Sequence, residues 1–289
     1  MAGGAARRPL THGVNVNAVL YPPGPGGRIA LFGSGETARV GRRVHELLLA
    51  AYQKPVPVAV IETPAGFQPN TNVLAADVKA FFEHNLQNFK PDVAIIPARR
   101  RGDGPHGTDT EALLDGVVSA SYVFAGAGSP TYAVRHLSGS RLWSAVVDRL
   151  QAGATLALAS AMALAVSTHT LPVYEIFKVG EELTWTTGLD LFGAFGMDLA
   201  IVPHWNNNEG GAKLDTSHCY MGADRFTELR AMLPAATVIL SIDEHTACVV
   251  DLGREFARVH GAGSVSVTRG DDTETFSADD TFPLSLLRR

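Results

Sequence analysis

Cysteine and long apolar runs are both scarce in this sequence. Only two cysteines occur among 289 residues, Cys219 and Cys248. That number is too small for the disulfide framework of a secreted protein and is typical of a reducing compartment, so we expect a cytoplasmic protein. The first residues, MAGGAARRPLTHG, are not followed by the apolar run of a secretory signal, and no stretch of about 18 apolar residues occurs. The sequence therefore predicts no membrane partner.

Positive charge is also in short supply. The chain carries 24 lysines and arginines against 29 aspartates and glutamates, which leaves a formal net charge of -5. This balance provides no strong basic field for a phosphate backbone, so a nucleic-acid partner is not expected. The one basic cluster, RRR at residues 99–101, is followed by GDGP and is typical of a solvated loop.

The length of the chain and its 46% share of hydrophobic residues suit one large globular domain. Residues 1–26, which run into the segment YPPGPGG, are expected to form a loose N-terminal arm. Residues 27–289 would then form a single α/β domain.

Short aliphatic runs alternate with helical patterns before residue 160. RIALF (28–32) ends in glycines, and the segment after it, ARVGRRVHELLLAAY, has the apolar spacing of a helix. The same unit recurs from VPVAVI, DVAII and YVFA, and a further aliphatic run follows, ATLALA (154–159). This alternation is typical of parallel strands covered by helices on both faces. The last run has no polar positions, so we expect a central, buried strand.

The pattern changes after residue 160. LAIV (199–202) predicts one more buried strand and GADRFTELRAML a helix, and four short strand patterns are also present, TVILSID, TACVVDL, ARVHG and GSVSVTR. The expected fold class is therefore α/β, a three-layer sandwich with a largely parallel central sheet and mostly antiparallel C-terminal strands.

Three side chains that could cooperate in hydrolysis follow three of these strands. Ser160 comes where ATLALA changes into a helical pattern, His204 follows LAIVP, and Glu244 follows TVILSID. Ligands of open parallel sheets bind at the carboxyl ends of the strands, so these side chains could meet there. A serine nucleophile needs an imidazole to accept its proton and a carboxylate to orient that imidazole. A strand-to-helix turn also offers backbone N–H groups to a developing oxyanion.

Each of the three residues has a plainer interpretation as well. A serine at a helix start is usually an N-cap, a histidine beside an apolar run is usually packed in a core, and Glu244 lies where an exposed turn is expected. The glycine turns GSGET (33–37) and GAGSPT (126–131) could hold a phosphate. Neither completes G-x-G-x-x-G or carries a P-loop lysine, so nucleotide binding is poorly supported.

The sequence resembles the cyanophycinase and dipeptidase E group of serine peptidases, whose fold is class I glutamine amidotransferase-like and flavodoxin-like. The resemblance covers roughly residues 28–252, and its most specific part is SIDEHTA (241–247), which is similar to the family's G-I-D-E-x-T-A. The other matching segments are LFGSGE, FAGAGSPTYAVRHL, LALASAMA, PVYE, IVPHW and DRFTELRAML.

This resemblance implies a serine hydrolase that cleaves a peptide or amide bond through an acyl-enzyme. Ser160 would be the nucleophile, His204 the base and Glu244 the orienting acid, and the backbone N–H groups of Gly128 and Ala161 would form the oxyanion hole. The substrate would be a small molecule or a short peptide, no cofactor is implied, and a homodimer would fit the family.

Relatives prefer aspartyl substrates, which need a cationic partner in the pocket. The sequence offers several cations without choosing among them: Arg135, Lys178 and Lys213. Further side chains that could line the substrate pocket are Glu36, Ser129, Glu209 and Asp215.

The sequence departs from the family at the nucleophile. The family reads G-x-S-A-G-A, whereas Leu158 and Met162 replace the two glycines here. Larger side chains could crowd a strained turn. The alternative, from another class, is a catalytically silent protein that binds a small molecule or peptide on the same fold.

A second departure is the segment 206–224, NNNEGGAKLDTSHCYMGAD, which points to a divergent branch of the family. The irregular spacing of Glu209, Asp215 and His218 favours a polar loop over a metal site, so no metal is expected. Cys219 raises the alternative of a cysteine nucleophile, as in true glutamine amidotransferases. The nucleophile position holds Ser160 instead, which favours an incidental cysteine.

Overall fold

The computed structural model describes residues 26–288. The expected loose arm, residues 1–26, lies outside the described residues except for Gly26, and the single-domain assignment stays a prediction. Within the described range the strands are β1 (Arg28–Phe32), β2 (Val56–Ile61), β3 (Pro91–Ile96), β4 (Tyr122–Ala125), β5 (Thr155–Ala159), β6 (His169–Thr170), β7 (Thr186–Thr187), β8 (Leu199–Val202), β9 (Val238–Ile242), β10 (Thr246–Asp251), β11 (Phe256–Gly261), β12 (Ser264–Arg269), β13 (Asp272–Ser277) and β14 (Thr281–Pro283).

Most helical segments follow the patterns read from the sequence. The helices are α1 (Arg39–Leu49), α2 (Thr71–Asn85), α3 (Asp115–Val118), α4 (Pro130–Leu137), α5 (Arg141–Gln151), α6 (Ala161–Ala165), α7 (Ser217–Tyr220) and α8 (Ala223–Ala231). The short α7 lies in segment 206–224, which was expected to be a polar loop, and has left-handed backbone angles at His218 and Cys219. Serine hydroxyls cap two of them: Ser129 accepts from the Tyr132 N–H at 3.2 Å, and Ser140 accepts from the Trp143 N–H at 3.1 Å. Among the described residues, no helix is long and apolar enough to cross a membrane.

The central sheet has eight strands in the order β14-β11-β10-β1-β5-β4-β2-β3. The five strands from β1 to β3 in this order pair in parallel, and β10, β11 and β14 are antiparallel. The predicted α/β class, with a largely parallel sheet and antiparallel C-terminal strands, is confirmed. β5 lies inside the sheet, between β1 and β4. Its continuous aliphatic sequence predicted a central position, because a strand with neighbours on both sides and covered faces carries no polar position.

Apolar side chains on both faces of this sheet form two separate clusters, which makes the sandwich three layers deep. On one face, Ala30 and Phe32 of β1 pack with residues of α1 and α2. On the other face, Ile29 and Leu31 pack with α5, α6 and a second sheet. Alternate residues of one strand serve opposite faces because successive side chains point in opposite directions.

The second sheet is a finding that the sequence patterns did not separate from the first. It has the order β13-β12-β9-β8, and its β8–β9 pair is parallel. β8 and β9 therefore belong to the second sheet and not to the central one. Their ends bring residues 204 and 244 toward the end of β5. β13 and β14 were also missed, because β13 is almost wholly exposed and has no apolar face for a pattern to detect.

Candidate active site

Ser160 occupies a sharp turn between β5 and α6. Its backbone angles are φ 49° and ψ −109°, a combination that L-residues rarely adopt and that tends to occur at functional sites. The hydroxyl makes no capping hydrogen bond to α6, so the plainer interpretation of Ser160 as an N-cap is not supported. The Ser160 N–H donates to the Phe32 carbonyl of β1 at 3.2 Å, which holds the turn against the sheet.

The two large residues flanking this turn are directed into the core. Leu158 is 1% exposed and Met162 is fully buried, and both belong to the apolar cluster between the central sheet and the second sheet. Neither side chain lines the cavity in front of Ser160. The crowding expected from the sequence is accommodated in the core, since both side chains join an apolar cluster that also includes residues of the second sheet.

The Ser160 hydroxyl, the His204 imidazole and the Glu244 carboxylate lie in one hydrogen-bonded row. Ser160 Oγ is 2.9 Å from His204 Nε2, and His204 Nδ1 is 2.9 Å from Glu244 Oε1. The side chains of His204 and Glu244 are 15% and 22% exposed. The three residues follow β5, β8 and β9, so the second sheet delivers two of them to the end of the central strand.

The turn after β1 organises this meeting point. The Gly33 carbonyl accepts from the His204 N–H at 3.2 Å, and the Gly33 N–H donates to the Thr246 carbonyl at 2.8 Å. The Ser34 hydroxyl accepts from the His245 N–H at 2.9 Å. This glycine-rich turn thus forms hydrogen bonds both to His204 and to the two residues that follow Glu244. His204 itself has φ 54°, a left-handed conformation that the packed surroundings must maintain.

The Glu244 carboxylate is held as an anion. Burial acts to raise its pKa, but hydrogen bonds from His204, Ser34 and Asn207 outweigh that effect and lower the pKa to about 2. Asn207 is 4% exposed, and its Nδ2 donates to Glu244 Oε1 at 2.7 Å. A carboxylate charged at neutral pH accepts the Nδ1–H of the imidazole, which leaves Nε2 as the proton acceptor facing serine.

The glycine-rich turn after β4 borders the cavity beside Ser160. Gly128 has φ 153°, and a Cβ there would lie 1.9 Å from the Pro64 carbonyl oxygen, so no other residue fits. Gly128 and Ala161 both line the cavity beside Ser160. Ala161 is the first residue of α6, where backbone N–H groups have no partner within the helix. Both residues therefore border the space in front of the Ser160 hydroxyl.

A cavity of about 420 Å³ opens in front of Ser160. Its walls are mainly apolar and aromatic. Two charged side chains also line it, Glu209 and Lys178, and both are exposed. The lining residues are Gly128, Pro130, Ser160, Ala161, Leu164, Val173, Tyr174, Phe177, Lys178, His204, Glu209, Gly210, Thr216, Cys219 and Tyr220.

Of the four residues expected to line the substrate pocket, the structure places one in the cavity in front of Ser160. Glu209 lines the cavity, and its Oε2 accepts from the Tyr220 hydroxyl at 3.0 Å. Ser129 adjoins Gly128, but its hydroxyl caps α4. Glu36 lines a separate cavity of about 270 Å³ on the far side of turn 126–128. Asp215 lies outside both cavities, because its carboxylate accepts from the N–H groups of Ser217 and Ala223.

The candidate cations and the cysteine are also divided. Lys178 lines the cavity in front of Ser160, whereas Arg135 and Lys213 do not. Cys219 lines it as well but is 2% exposed, and burial, with the nearby Glu244 charge, raises its pKa far above the usual thiol value. A thiol that resists ionisation is a poor nucleophile. Among residues 26–288, no cluster of His, Cys, Asp and Glu is arranged to hold a metal ion.

Several residues that shape the site were not predicted individually. Asn206 and Asn207 hold Glu244 from two sides, since the Asn206 Oδ1 accepts from the Glu244 N–H at 2.8 Å. The polar run that begins two residues after His204 could have indicated both asparagines, because residues so close to His204 in the chain must also lie near it in space. The aromatic residues Phe177 and Tyr220 carried no comparable signal, because their positions depend on how distant segments pack.

Fold and site together define an α/β protein with a Ser-His-Glu row at the end of its central strand. In overall structure the chain is similar to a peptidase from an acI-B1 Actinobacterium, with a TM-score of 0.70 and 21% identity over 89% of this chain and 96% of that one. It is also similar to a candidate peptidase E of Listeria monocytogenes EGD-e, with a TM-score of 0.51 and 15% identity over 88% of this chain and 99% of that one. At such identities these likenesses establish a shared fold. No protein-family model and no curated protein matches the sequence.

Proposed function

We propose that this protein is a serine hydrolase of the cyanophycinase and dipeptidase E type that cleaves a peptide or amide bond. The observation that carries the proposal is the unbroken row of contacts from Ser160 Oγ to His204 to Glu244, each 2.9 Å long. The row begins at a serine with φ 49° whose hydroxyl serves no cap. A structural serine at a helix start would not need that strained backbone or that imidazole partner.

Acylation begins when Ser160 Oγ attacks the carbonyl carbon of the scissile bond and His204 Nε2 takes the hydroxyl proton. The carbonyl oxygen becomes an oxyanion, which the N–H groups of Gly128 and Ala161 stabilise. Glu244 stabilises the imidazolium that forms and keeps its orientation. The C–N bond then breaks, and His204 passes its proton to the leaving nitrogen, so that the amine departs and the acyl group remains on Ser160.

Deacylation repeats these steps with water. His204 takes a proton from a water molecule, whose oxygen attacks the ester carbonyl carbon. The second oxyanion collapses, the bond between carbon and Ser160 Oγ breaks, and His204 returns the proton to that oxygen. The carboxylic acid leaves and the enzyme is restored. No step requires a cofactor.

The test is covalent labelling by a fluorophosphonate, followed by intact mass measurement. The wild type should gain one adduct, and Ser160→Ala and His204→Ala should gain none, because the probe reports an activated serine. Circular dichroism must show that both variants remain folded. An unlabelled, well-folded wild type beside a reactive control hydrolase would contradict the proposal and favour the alternative, a silent binding protein on the same fold.

The substrate, location and assembly of this protein each require a separate measurement. We expect a small-molecule or short-peptide substrate, a cytoplasmic location and no nucleic-acid partner, and a homodimer would fit the resemblance. Both cysteines are buried and unpaired, which suits a reducing compartment. Sedimentation velocity would decide the oligomeric state.

A further inference from the structure

The base His204 stands beside a wall of aromatic rings. The ring centroids of His204 and Tyr220 are 6.0 Å apart, and those of Tyr220 and Phe177 are 5.3 Å apart. Tyr174 lines the same cavity. The wall therefore begins beside the proposed proton acceptor and lines the same cavity as Ser160, where the side chain next to a cleaved bond would lie.

Aliphatic side chains also form part of the inner surface. Leu164 is 3% exposed and Val173 is 5% exposed, and both face the cavity. Apart from His204, the charged residues of the described lining are Lys178 and Glu209, which are both exposed. The interior thus offers no buried cation to a carboxylate, and an unpaired buried charge is strongly disfavoured.

We propose that this cavity binds an aromatic or large aliphatic side chain next to the scissile carbonyl, rather than an acidic one. The inference rests on the proposed hydrolase function for the position of the scissile bond. The volume of about 420 Å³ falls in the range of small-ligand sites and can hold a benzyl group with part of its backbone.

The aromatic wall is held in place before any ligand binds. Phe177 belongs to a π-helical turn, Glu175–Val179, and Tyr174 immediately precedes that turn. The Thr131 hydroxyl donates to Glu175 Oε1 and lies 2.9 Å from the Ser129 hydroxyl. The turn that bears the wall is thereby connected to the segment that contains Gly128. Pre-organised walls lose little conformational entropy on binding.

Tyr220 is fixed by an unusual backbone. The residues of turn 218–220 have φ values of 54°, 57° and 68°, a left-handed turn that is unfavourable for residues with side chains. It is held by hydrogen bonds from the Tyr220 N–H to the Thr216 carbonyl at 3.0 Å and from the Cys219 N–H to the His204 carbonyl at 3.2 Å. A strained segment that places a ring against the base is well suited to a binding role.

The preference can be measured with N-acetyl aminoalkyl diphenyl phosphonates that carry benzyl, isobutyl or carboxymethyl side chains. Ser160 Oγ bonds to phosphorus, one P–O bond to a phenoxy group breaks, and phenol leaves with the proton that His204 took. Intact mass gives the inactivation rate constant for each reagent. We expect the benzyl reagent to react on the order of 10- to 100-fold faster than the carboxymethyl reagent.

Variants separate the wall from the chemistry. Phe177→Ala should slow labelling by the benzyl reagent on the order of tenfold more than labelling by a small alkyl fluorophosphonate, and Phe177→Leu should recover part of the loss. Phe67→Ala is a matched control, because Phe67 is a 46% exposed ring that does not line the cavity. Equal rates for the three reagents, or a faster carboxymethyl reagent that slows in Lys178→Ala, would overturn the inference and leave the hydrolase proposal intact.

A second measurement does not depend on the nucleophile. Ser160→Ala can be titrated with N-acetyl-phenylalaninamide and with N-acetyl-aspartamide by NMR. Tighter binding of the phenylalanine compound supports the inference even if the wild type resists every phosphonate and the hydrolase proposal fails. Equal or tighter binding of the aspartate compound contradicts it.

Discussion

Asn207 gives the sharpest test of how the hydrogen-bonded row of Ser160, His204 and Glu244 is held together. Its side chain is 4% exposed, its Nδ2 donates to Glu244 Oε1 at 2.7 Å, and its Oδ1 accepts from the Glu209 N–H at 3.1 Å. Asn207→Ala removes both hydrogen bonds while it leaves Ser160 and His204 unchanged. Asn208→Ala is the matched control, because this neighbouring asparagine is exposed.

The magnitude follows from the two bonds. A hydrogen bond to a charged group contributes about 1.5–3 kcal/mol and a neutral one about 0.5–1.5 kcal/mol. Asn207→Ala should therefore lower the free energy of unfolding by about 2–4.5 kcal/mol. If the whole contribution of the hydrogen bond from Asn207 to the Glu244 carboxylate stabilises the imidazolium as it forms, its loss should slow fluorophosphonate labelling of Ser160 by about 10- to 150-fold.

The pH dependence adds a second readout. The pKa of Glu244 is depressed to about 2 in the folded protein, so the resulting stability is present above the unfolded pKa and is lost as the pH falls toward 2. Asn207→Ala removes one cause of the depression, and its folded pKa should move upward. The stability difference from the wild type should then be largest near neutral pH and shrink below about pH 4.

Urea denaturation at several pH values and labelling kinetics at neutral pH measure these effects. If Asn207→Ala matches Asn208→Ala in labelling rate and in stability at every pH, Glu244 does not depend on Asn207 and the reasoning fails. A loss of stability with an unchanged labelling rate would assign Asn207 a purely structural role.

Three further predictions concern Glu244, the turn that contains Gly128 and the two thiols. Glu244→Gln should keep the fold but slow Ser160 labelling by up to about 10⁴-fold, because an amide no longer enforces the imidazole tautomer; a rate within a few-fold of wild type would argue against a triad. Gly128→Ala should abolish labelling and destabilise the protein, since its Cβ meets a carbonyl oxygen at 1.9 Å, whereas Gly180→Ala, with φ 84° and nothing within 4 Å, should cost stability alone; equal behaviour would contradict the steric argument. Cys219 and Cys248 should resist iodoacetamide at pH 8 until the chain is unfolded, because burial raises the pKa of both thiols, to about 12 for Cys248; rapid alkylation of the native protein would refute this.

The fold was largely predictable because its pattern is local. Aliphatic runs and helical spacing before residue 160 predicted β1 to β5 and the helices between them, since each pattern reflects burial of one segment. β13 escaped because exposed residues carry no such pattern. β8 and β9 were recognised as strands, but their separation into a second sheet depends on pairing between segments about forty residues apart.

The candidate site was predictable only in its principal members. Ser160, His204 and Glu244 stood out because each directly follows a strand, and strand ends converge in parallel sheets. Asp215 and Glu36 had equally suggestive chemistry, yet the structure directs one to a loop cap and the other to a separate cavity. Residue type and position after a strand do not determine which neighbour a side chain will meet.

The sequence by itself determined the α/β class, the central position of β5 and the identities of the groups available for chemistry, because these properties depend on composition and short-range periodicity. Only the tertiary structure decided that Leu158 and Met162 pack into the core, that Asn207 and Ser34 hold Glu244 charged, and that aromatic rings line the cavity beside His204. Those outcomes require contacts between residues far apart in the chain, and such contacts are set by the packing of whole elements rather than by any local pattern.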